Sequence, residues 1–266
     1  MELKVIAYAR NGHTDKFGIP RQSREESPIV TRIVFEPEFR VAEALRGIEG
    51  YSHLWLIWGF SETSRSRDAE TSTDSWSPTV RPPRLGGNTR MGVFATRSPY
   101  RPNPLGLSSV RLIAVRINEK LKIKNEKLSE IPTEKGSFEL IVSGADLLDG
   151  TPIYDIKPYL SFSDSHEAAH NGFAEETKDY RLEVDWGLSK RLVTREWTDN
   201  GPTLDRERTD EVSEEWMRDV TYILSQDPRP AYQDDPSREY KLDYAGYTIT
   251  FIVDRQTVHV KKIVKI

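Results

Sequence analysis

The chain has no cysteine, which removes disulfide staples, thiolate nucleophiles and sulfur-ligated metal centres at once. Histidine is nearly as scarce, with five residues at 13, 53, 166, 170 and 259. Only His166 and His170, in the run HEAAH, stand at the four-residue spacing that sets two imidazoles on one helical face. Their surroundings, SFSDSHEAAHNGFAEE, carry no apolar periodicity and no third ligand. The pair therefore reads as part of a polar linker holding one helical turn at most, and no metal is expected. Long apolar runs are missing too: nothing approaches the ~20 residues of a membrane-spanning helix. The opening MELKVIAYARNGH lacks the apolar core and cleavage site of a signal peptide. A cytoplasmic protein with no membrane part is the expectation. A glycine-rich dinucleotide fingerprint and internal repeats are likewise lacking.

What is present suffices for one sizeable core and a small second one, since 36% of the 266 residues are hydrophobic. The net charge of -4 argues against a general nucleic-acid coat protein, but it hides an uneven distribution. Residues 75–118 contain no Asp or Glu, while arginines stand at 81, 84, 90, 97, 101, 111 and 116. Arginine used throughout suits planar, two-pronged recognition of phosphate or carboxylate, and stacking on bases. A solvated face paired with acids elsewhere, such as those of residues 205–219, is the other reading, and composition leaves both open.

The runs LKVIAYA (3–9), TRIVF (31–35) and HLWLIWGF (53–60) have the composition of buried strands. Between the last two, PEFRVAEALRGIEG spaces its apolar residues as one short helix closing on glycine. The polar stretch that includes residues 63–89 is too rich in Ser, Thr, Pro and Gly for regular structure, and a loop of that length is usually functional. MGVFATR, LSSVRLIAVRI, KLKIKN and SFELIVSGADLL continue as strand-like pieces. Many short strands with little helix predict a barrel or sandwich. A boundary near residue 165 divides a domain 1–165 from a domain 166–266. The second contains a strand-like YRLEVDW, a helix over residues 208–225, and a hairpin of YTITFIVD and TVHVKKIVK turning at Arg255 and Gln256.

Three segments concentrate polar chemistry. In FATRSPYRPNPLGLS (94–108), three prolines stiffen a connection that would display Arg97, Ser98, Arg101 and Asn103, while Gly106 permits close backbone approach. In GADLLDGTPIYDIKPYL (144–160), the Asp149-Gly150 turn precedes an alternating stretch that sends Ile153, Asp155 and Lys157 to one side, and Tyr154 and Ile156 to the other. In DPRPAYQ (227–233), Arg229, Tyr232 and Gln233 sit on a proline-framed loop suited to base stacking and base-edge hydrogen bonds.

Together with IPRQS (19–23) and YSHLWLIWGF (51–60), these segments resemble the TsaA/TrmO-type tRNA (adenine-N6)-methyltransferase family, of the bacterial type with a C-terminal domain. The resemblance spans nearly the whole chain. It implies a mainly β protein, with a small antiparallel β-barrel as N-terminal domain and a smaller α+β C-terminal domain. It also implies a homodimer that binds S-adenosylmethionine and methylates N6 of N6-threonylcarbamoyladenosine at position 37 of tRNA. Position by position, the cofactor site it implies comprises Arg21, Gln22, Ser23, Ser61, Glu62, Arg97, Leu107, Leu147, Leu148, Asp149 and Gly150. One of these departs from the family pattern: Ser61 stands where a histidine is common. Asp155, Lys157 and Tyr232 are the candidates to take the N6 proton. Arg101, Asn103, Arg229 and Gln233 are the candidates for substrate contact. Two alternatives stand beside this reading. One is a non-catalytic dimeric module that binds S-adenosylmethionine or RNA, and the other is a methyltransferase acting on a different acceptor.

Overall fold

The computed structural model describes residues 2–60, 76–86, 88–118, 120–123, 136–187, 193–195, 212–230 and 235–266. In chain order the strands are β1 (Ala7–Arg10), β2 (Val30–Phe35), β3 (His53–Gly59), β4 (Thr79–Val80), β5 (Met91–Gly92), β6 (Leu105–Ile117), β7 (Lys120–Ile123), β8 (Phe138–Ser143), β9 (Pro152–Pro158), β10 (Glu183–Asp185), β11 (Val193–Arg195), β12 (Tyr240–Tyr244), β13 (Tyr247–Asp254) and β14 (Thr257–Lys265). The α-helices are the single turn α1 (Ser161–Asp164) and the longer α2 (Glu214–Ser225). The chain divides into two compact units: residues 1–11 with 22–172, and residues 12–21 with 173–266.

The first unit is the antiparallel barrel. Its strands run in the order β3-β9-β1-β2-β8-β6, and β6 pairs back to β3, so six strands close without an open edge. Strand β7 extends the sheet as a hairpin on β6. Period-two alternation sends Leu54, Leu56 and Trp58 of β3 and Ile33 and Phe35 of β2 inward, where they meet Val110, Leu140, Val142 and Ile153. Ala7 and Ala9 of β1 also face this core, and small residues opposite large ones are how a narrow barrel fills its interior. Every residue of β8 is buried, including Glu139. That carboxylate is held by Arg116 at 2.5 Å and by Arg32 at 2.8 Å, as an inaccessible charge requires.

Three local expectations are corrected. The segment 36–50 forms three short 3-10 turns, Pro37–Phe39, Ala42–Leu45 and Ile48–Gly50, in place of one helix. Val41 is extended, Gly47 is left-handed at φ 85°, and Leu45 is the one residue of these turns that is buried, so no continuous apolar stripe exists to hold a helix. MGVFATR is strand only at Met91–Gly92, after which Thr96 Oγ1 and Arg101 Nη1 both donate to the Val93 carbonyl and tighten a turn. In β9 the simple alternation fails. Trp58 pairs with Ile153 and Ile57 with Asp155, leaving Tyr154 as the extra residue of a bulge. Ile153 and Ile156 both pack on the core, while Asp155 and Lys157 stay together, 2.8 Å apart.

In the second unit β12, β13 and β14 form an antiparallel meander, and β10 and β11 add parallel to β14. The hairpin turns at Arg255 and Gln256, with Arg255 at φ 53°. Helix α2 starts where the Ser213 hydroxyl accepts the Trp216 N–H at 3.1 Å; residues 208–211 of the expected helix lie outside the described residues. Its buried face carries Trp216, Val220, Ile223 and Leu224. The segment 12–21 packs here too: Phe17 stacks near Tyr240 and Phe251, and Gly18 fits tightly against Leu242. No helix among the described residues is long and apolar enough to cross a membrane.

Candidate active site

Register builds the centre of the site in the first unit. Ser143 lies opposite Arg111 of β6, so the chain leaving β8 runs back along the first half of β6 and brings Asp146 to Ser108. The Ser108 hydroxyl donates to Asp146 at 2.5 Å and accepts the Trp58 indole N–H at 2.8 Å. Trp58 is seated by Gly106, where any Cβ would meet the indole ring at 2.2 Å. The Asp146 carboxylate also accepts the backbone N–H of Ser23, and the charge of Arg97 acts on it. Burial raises the Asp146 pKa above the ordinary carboxylate range, against the opposing pull of Ser108, Arg97 and Ser23.

Two further contacts lock the loop 22–28 to this point. Arg97 Nη1 donates to Gln22 Oε1 at 2.6 Å, and the Arg24 N–H donates to the Gly144 carbonyl at 3.1 Å. Gly144 has φ 85°, and a Cβ there would come within 2.7 Å of the Arg24 carbonyl oxygen. Three segments far apart in sequence are thereby joined around one carboxylate.

The turn after Asp146 is pinned from β1. Arg10 Nη1 lies 3.2 Å from Asp149 Oδ2, and the Asn11 N–H donates to Asp149 Oδ1 at 3.1 Å. Asn11 Nδ2 donates to the Leu147 carbonyl at 2.9 Å, and the Thr151 hydroxyl to the Leu148 carbonyl at 2.8 Å. Gly150, at φ 77°, donates its N–H to the Ala9 carbonyl at 2.8 Å. Leu147 is fully buried, so the barrel core uses its side chain. Leu107 points outward with about half of its surface exposed.

Asp155 and Lys157 form an ion pair at 2.8 Å, and Asp155 Oδ1 accepts the Ile156 N–H at 2.9 Å. Arg101 Nη1 donates to the Val93 and Thr96 carbonyls at 3.2 and 2.7 Å, which makes Arg101 a brace of its own loop. Asn103 joins Leu3, Gly59, Phe60, Pro104, Leu105 and Tyr154 around a cavity of about 220 Å³.

Arg21 and Arg229 belong to the second unit. Arg229 meets Asp227 through two hydrogen bonds of 2.8 and 3.0 Å, and Arg21 Nη2 donates to the carbonyls of Arg229 at 3.0 Å and Asp227 at 3.4 Å. The Tyr180 hydroxyl donates to Asp227 at 3.1 Å. Burial acts to raise the Asp227 pKa, but Arg229 and Tyr180 outweigh it and the carboxyl titrates below its ordinary range. The Arg229 side chain is only 8% exposed, so its guanidinium fixes the DPRP turn. Ser61, Glu62, Tyr232 and Gln233 lie outside the described residues. Sequence reasoning missed Trp58, Ser108, Arg10 and Asn11, and it left Asp146 without a role. Asp146 and Ser108 both fall in segments that composition had singled out, but only the strand register brings them together.

Residues 8–165 match the tRNA-methyltransferase O N-terminal domain, and residues 203–266 match the TrmO C-terminal domain. The tRNA (adenine(37)-N6)-methyltransferase of Escherichia coli K12 is 36% identical over 87% of this chain and 83% of its own length. The enzyme of the same name from Eikenella corrodens is 39% identical over 77% of this chain and 92% of its own. The crystal structure of TrmO from Pseudomonas aeruginosa superposes with a TM-score of 0.64 at 26% identity, covering 99% of this chain and 98% of that one.

Proposed function

On the premise that the chain belongs to the tRNA-methyltransferase O family and is a methyltransferase, we propose that it transfers the methyl group of S-adenosylmethionine to N6 of the adenosine at position 37 of tRNA, and that this adenosine already carries the threonylcarbamoyl group. The observation that carries this reading is the cluster on Asp146, which ties Ser23, Arg97 with Gln22, and the turn 147–150 into one rigid surface of the first unit.

The residues present fit this cofactor. Its sulfonium and ammonium are cations, and Asp146 and Asp149 are carboxylates of the site. Its own carboxylate suits the Arg97 guanidinium that Gln22 orients. The exposed face of Leu107 suits the adenine. When bound, the cofactor supplies an electrophilic methyl group that transfers by in-line displacement, with little covalent work left to the protein. The chain's own part is to align the acceptor and take a proton. In the ion pair with Lys157, Asp155 is the member with lone pairs to offer, so it accepts the N6 proton while Lys157 holds the carboxylate in place. The carbamoyl substituent makes that N–H more acidic than an ordinary amine, and the threonyl carboxylate offers a partner to Arg101, whose Nη1 alone is engaged in bracing its loop in the bonds described above. Asn103, Arg229, Tyr232 and Gln233 serve the substrate in this reading, Arg229 through the DPRP turn that it fixes. The working form is a homodimer in this reading, checked by light scattering.

Methyl incorporation from labelled S-adenosylmethionine into tRNA with and without the threonylcarbamoyl group tests the proposal, with the methyl located by nucleoside mass spectrometry. Label confined to N6 of the modified adenosine is expected. Equal labelling of both tRNAs would remove the acceptor assignment. Cofactor binding without incorporation into either would favour a binding module.

A further inference from the structure

The segment 76–100, which runs from just before β4 towards β6, carries a group of aromatic rings on the surface. Phe94 is 71% exposed, Tyr100 54% and Trp76 43%, although such rings are large enough to dominate a core. They are arranged. Trp76 and Phe94 lie nearly parallel, with centroids 6.3 Å apart and 22° between planes. Arg101 sits over the Phe94 ring with Cζ 5.7 Å from its centroid. The backbone holds the set in place: the Ser77 N–H donates to the Tyr100 carbonyl at 3.1 Å, and the Val93 N–H to the Pro78 carbonyl at 2.9 Å. The pairing of β4 with β5, Thr79 opposite Gly92 and Val80 opposite Met91, closes the loop on itself. Exposed aromatics on a braced loop mark a binding surface more often than a defect of packing.

Charge narrows the partner. Residues 75–118 contain no acid, and Arg81, Arg84, Arg90 and Arg97 belong to the same stretch as the rings. A second copy of this surface would set arginine against arginine across a two-fold axis, which is unfavourable. A polyanion with flat apolar faces satisfies both features, and single-stranded RNA has that chemistry: phosphates for the arginines and unstacked bases for the rings.

We propose that Trp76, Phe94 and Tyr100 form a stacking platform for bases splayed out of a tRNA loop beside the adenosine that is methylated. This rests on the function proposed above and deepens it by naming a surface that seats the RNA. Stacking tolerates any base, so the platform adds affinity and orientation without specifying sequence.

The test uses the full chain with the variants W76A, F94A and F94Y. Steady-state methylation gives KM for tRNA, calorimetry gives the dissociation constant for S-adenosylmethionine, and light scattering gives the mass. Separately, tryptophan emission is followed while an unmodified RNA stem-loop is titrated into the wild type and W76F. W76A and F94A are expected to raise KM for tRNA roughly five- to a hundredfold, the range seen for loss of one base–aromatic stack. Cofactor affinity and mass stay as in the wild type, F94Y recovers most of the loss, and the RNA quenches emission in the wild type far more than in W76F. Unchanged KM in both alanine variants, or equal quenching in the wild type and W76F, overturns the platform. A mass that halves in W76A or F94A overturns it in favour of a second copy of the chain. The quenching experiment needs no turnover. A wild type that quenches but does not methylate therefore leaves the platform standing while the proposed reaction falls, and a wild type that methylates as well as its variants does the reverse.

Discussion

At the scale of single residues, the proposed site contains carboxylates in different surroundings. Asp155 is paired with Lys157 near the surface, where a proton can be received and released. Replacing it by asparagine is expected to lower kcat by roughly 10²- to 10⁴-fold, the usual contribution of a positioned base, with cofactor affinity unchanged. Single-turnover rates of D155N, K157M and Y232F check this, and an undiminished rate in D155N moves the role to another of the three. Asp146 works differently, because all the partners identified for its carboxylate are donors: the Ser108 hydroxyl, the Ser23 N–H and its own backbone N–H. In D146N an amide NH₂ turns towards them. If the Ser108 oxygen accepted from the amide as well as from Trp58, its own O–H would lose the acceptor that Asp146 provides. A loss of about 1–3 kcal/mol of stability is expected, the cost of a buried donor left facing donors, together with weaker S-adenosylmethionine binding. Urea denaturation and calorimetry measure the two.

At the scale of elements, two glycines with the same backbone geometry separate strain from contact. Gly144 and Gly136 have φ 85° and 77°, but a Cβ at Gly144 meets the Arg24 carbonyl oxygen at 2.7 Å while one at Gly136 meets none of the described residues within 4 Å. Both alanine variants should lose about 1–3 kcal/mol from the left-handed backbone. Only G144A should also lose cofactor affinity, because it alone pushes the loop 22–28 away. In the second unit, helix α2 and the segment 12–21 meet the same tyrosine. Tyr244 donates its hydroxyl to Asp219 at 2.9 Å, and its ring lies 5.2 Å from that of His13. Burial lowers the His13 pKa to about 4 and raises that of Asp219 to about 6. The two act in opposite directions. The neutral His13 contributes stability above its unfolded value of 6.5 that is lost as pH falls through about 4. The protonated Asp219 contributes stability below 3.8 that is lost as pH rises through about 6. Each is worth on the order of 3 kcal/mol, so they largely cancel between pH 4 and 6. D219N keeps an acceptor for Tyr244 but removes one side of the balance. Its stability should therefore drop on acidification from pH 6.5 to 4 where the wild type stays nearly level, as thermal melts across that interval would show.

At the scale of the whole molecule, the second unit borrows from the N-terminal sequence. Phe17, Gly18, His13 and Arg21 all pack within it, so a fragment 173–266 lacks part of its core. Such a fragment is expected to be several kcal/mol less stable than one with residues 12–21 fused through a flexible linker, as chemical denaturation of the two constructions would reveal. Sequence by itself determined the class of fold. Alternation in HLWLIWGF and TRIVF and the scarcity of helical periodicity already indicate a mainly β fold, barrel or sandwich, because period and burial are local properties. Proline, glycine and arginine likewise mark the candidate loops locally. Tertiary structure alone decided which marked residues meet. Arg116 meets the buried acid Glu139, Arg229 meets Asp227 and Arg101 donates to its own loop, pairings that no local pattern announces. The bulge at Tyr154, the meeting of Asp146 with Ser108 and Ser23, and the transfer of residues 12–21 to the second unit were equally out of reach. Each depends on strand register and barrel closure, or on packing between segments more than two hundred residues apart, and leaves no periodic trace in either segment alone.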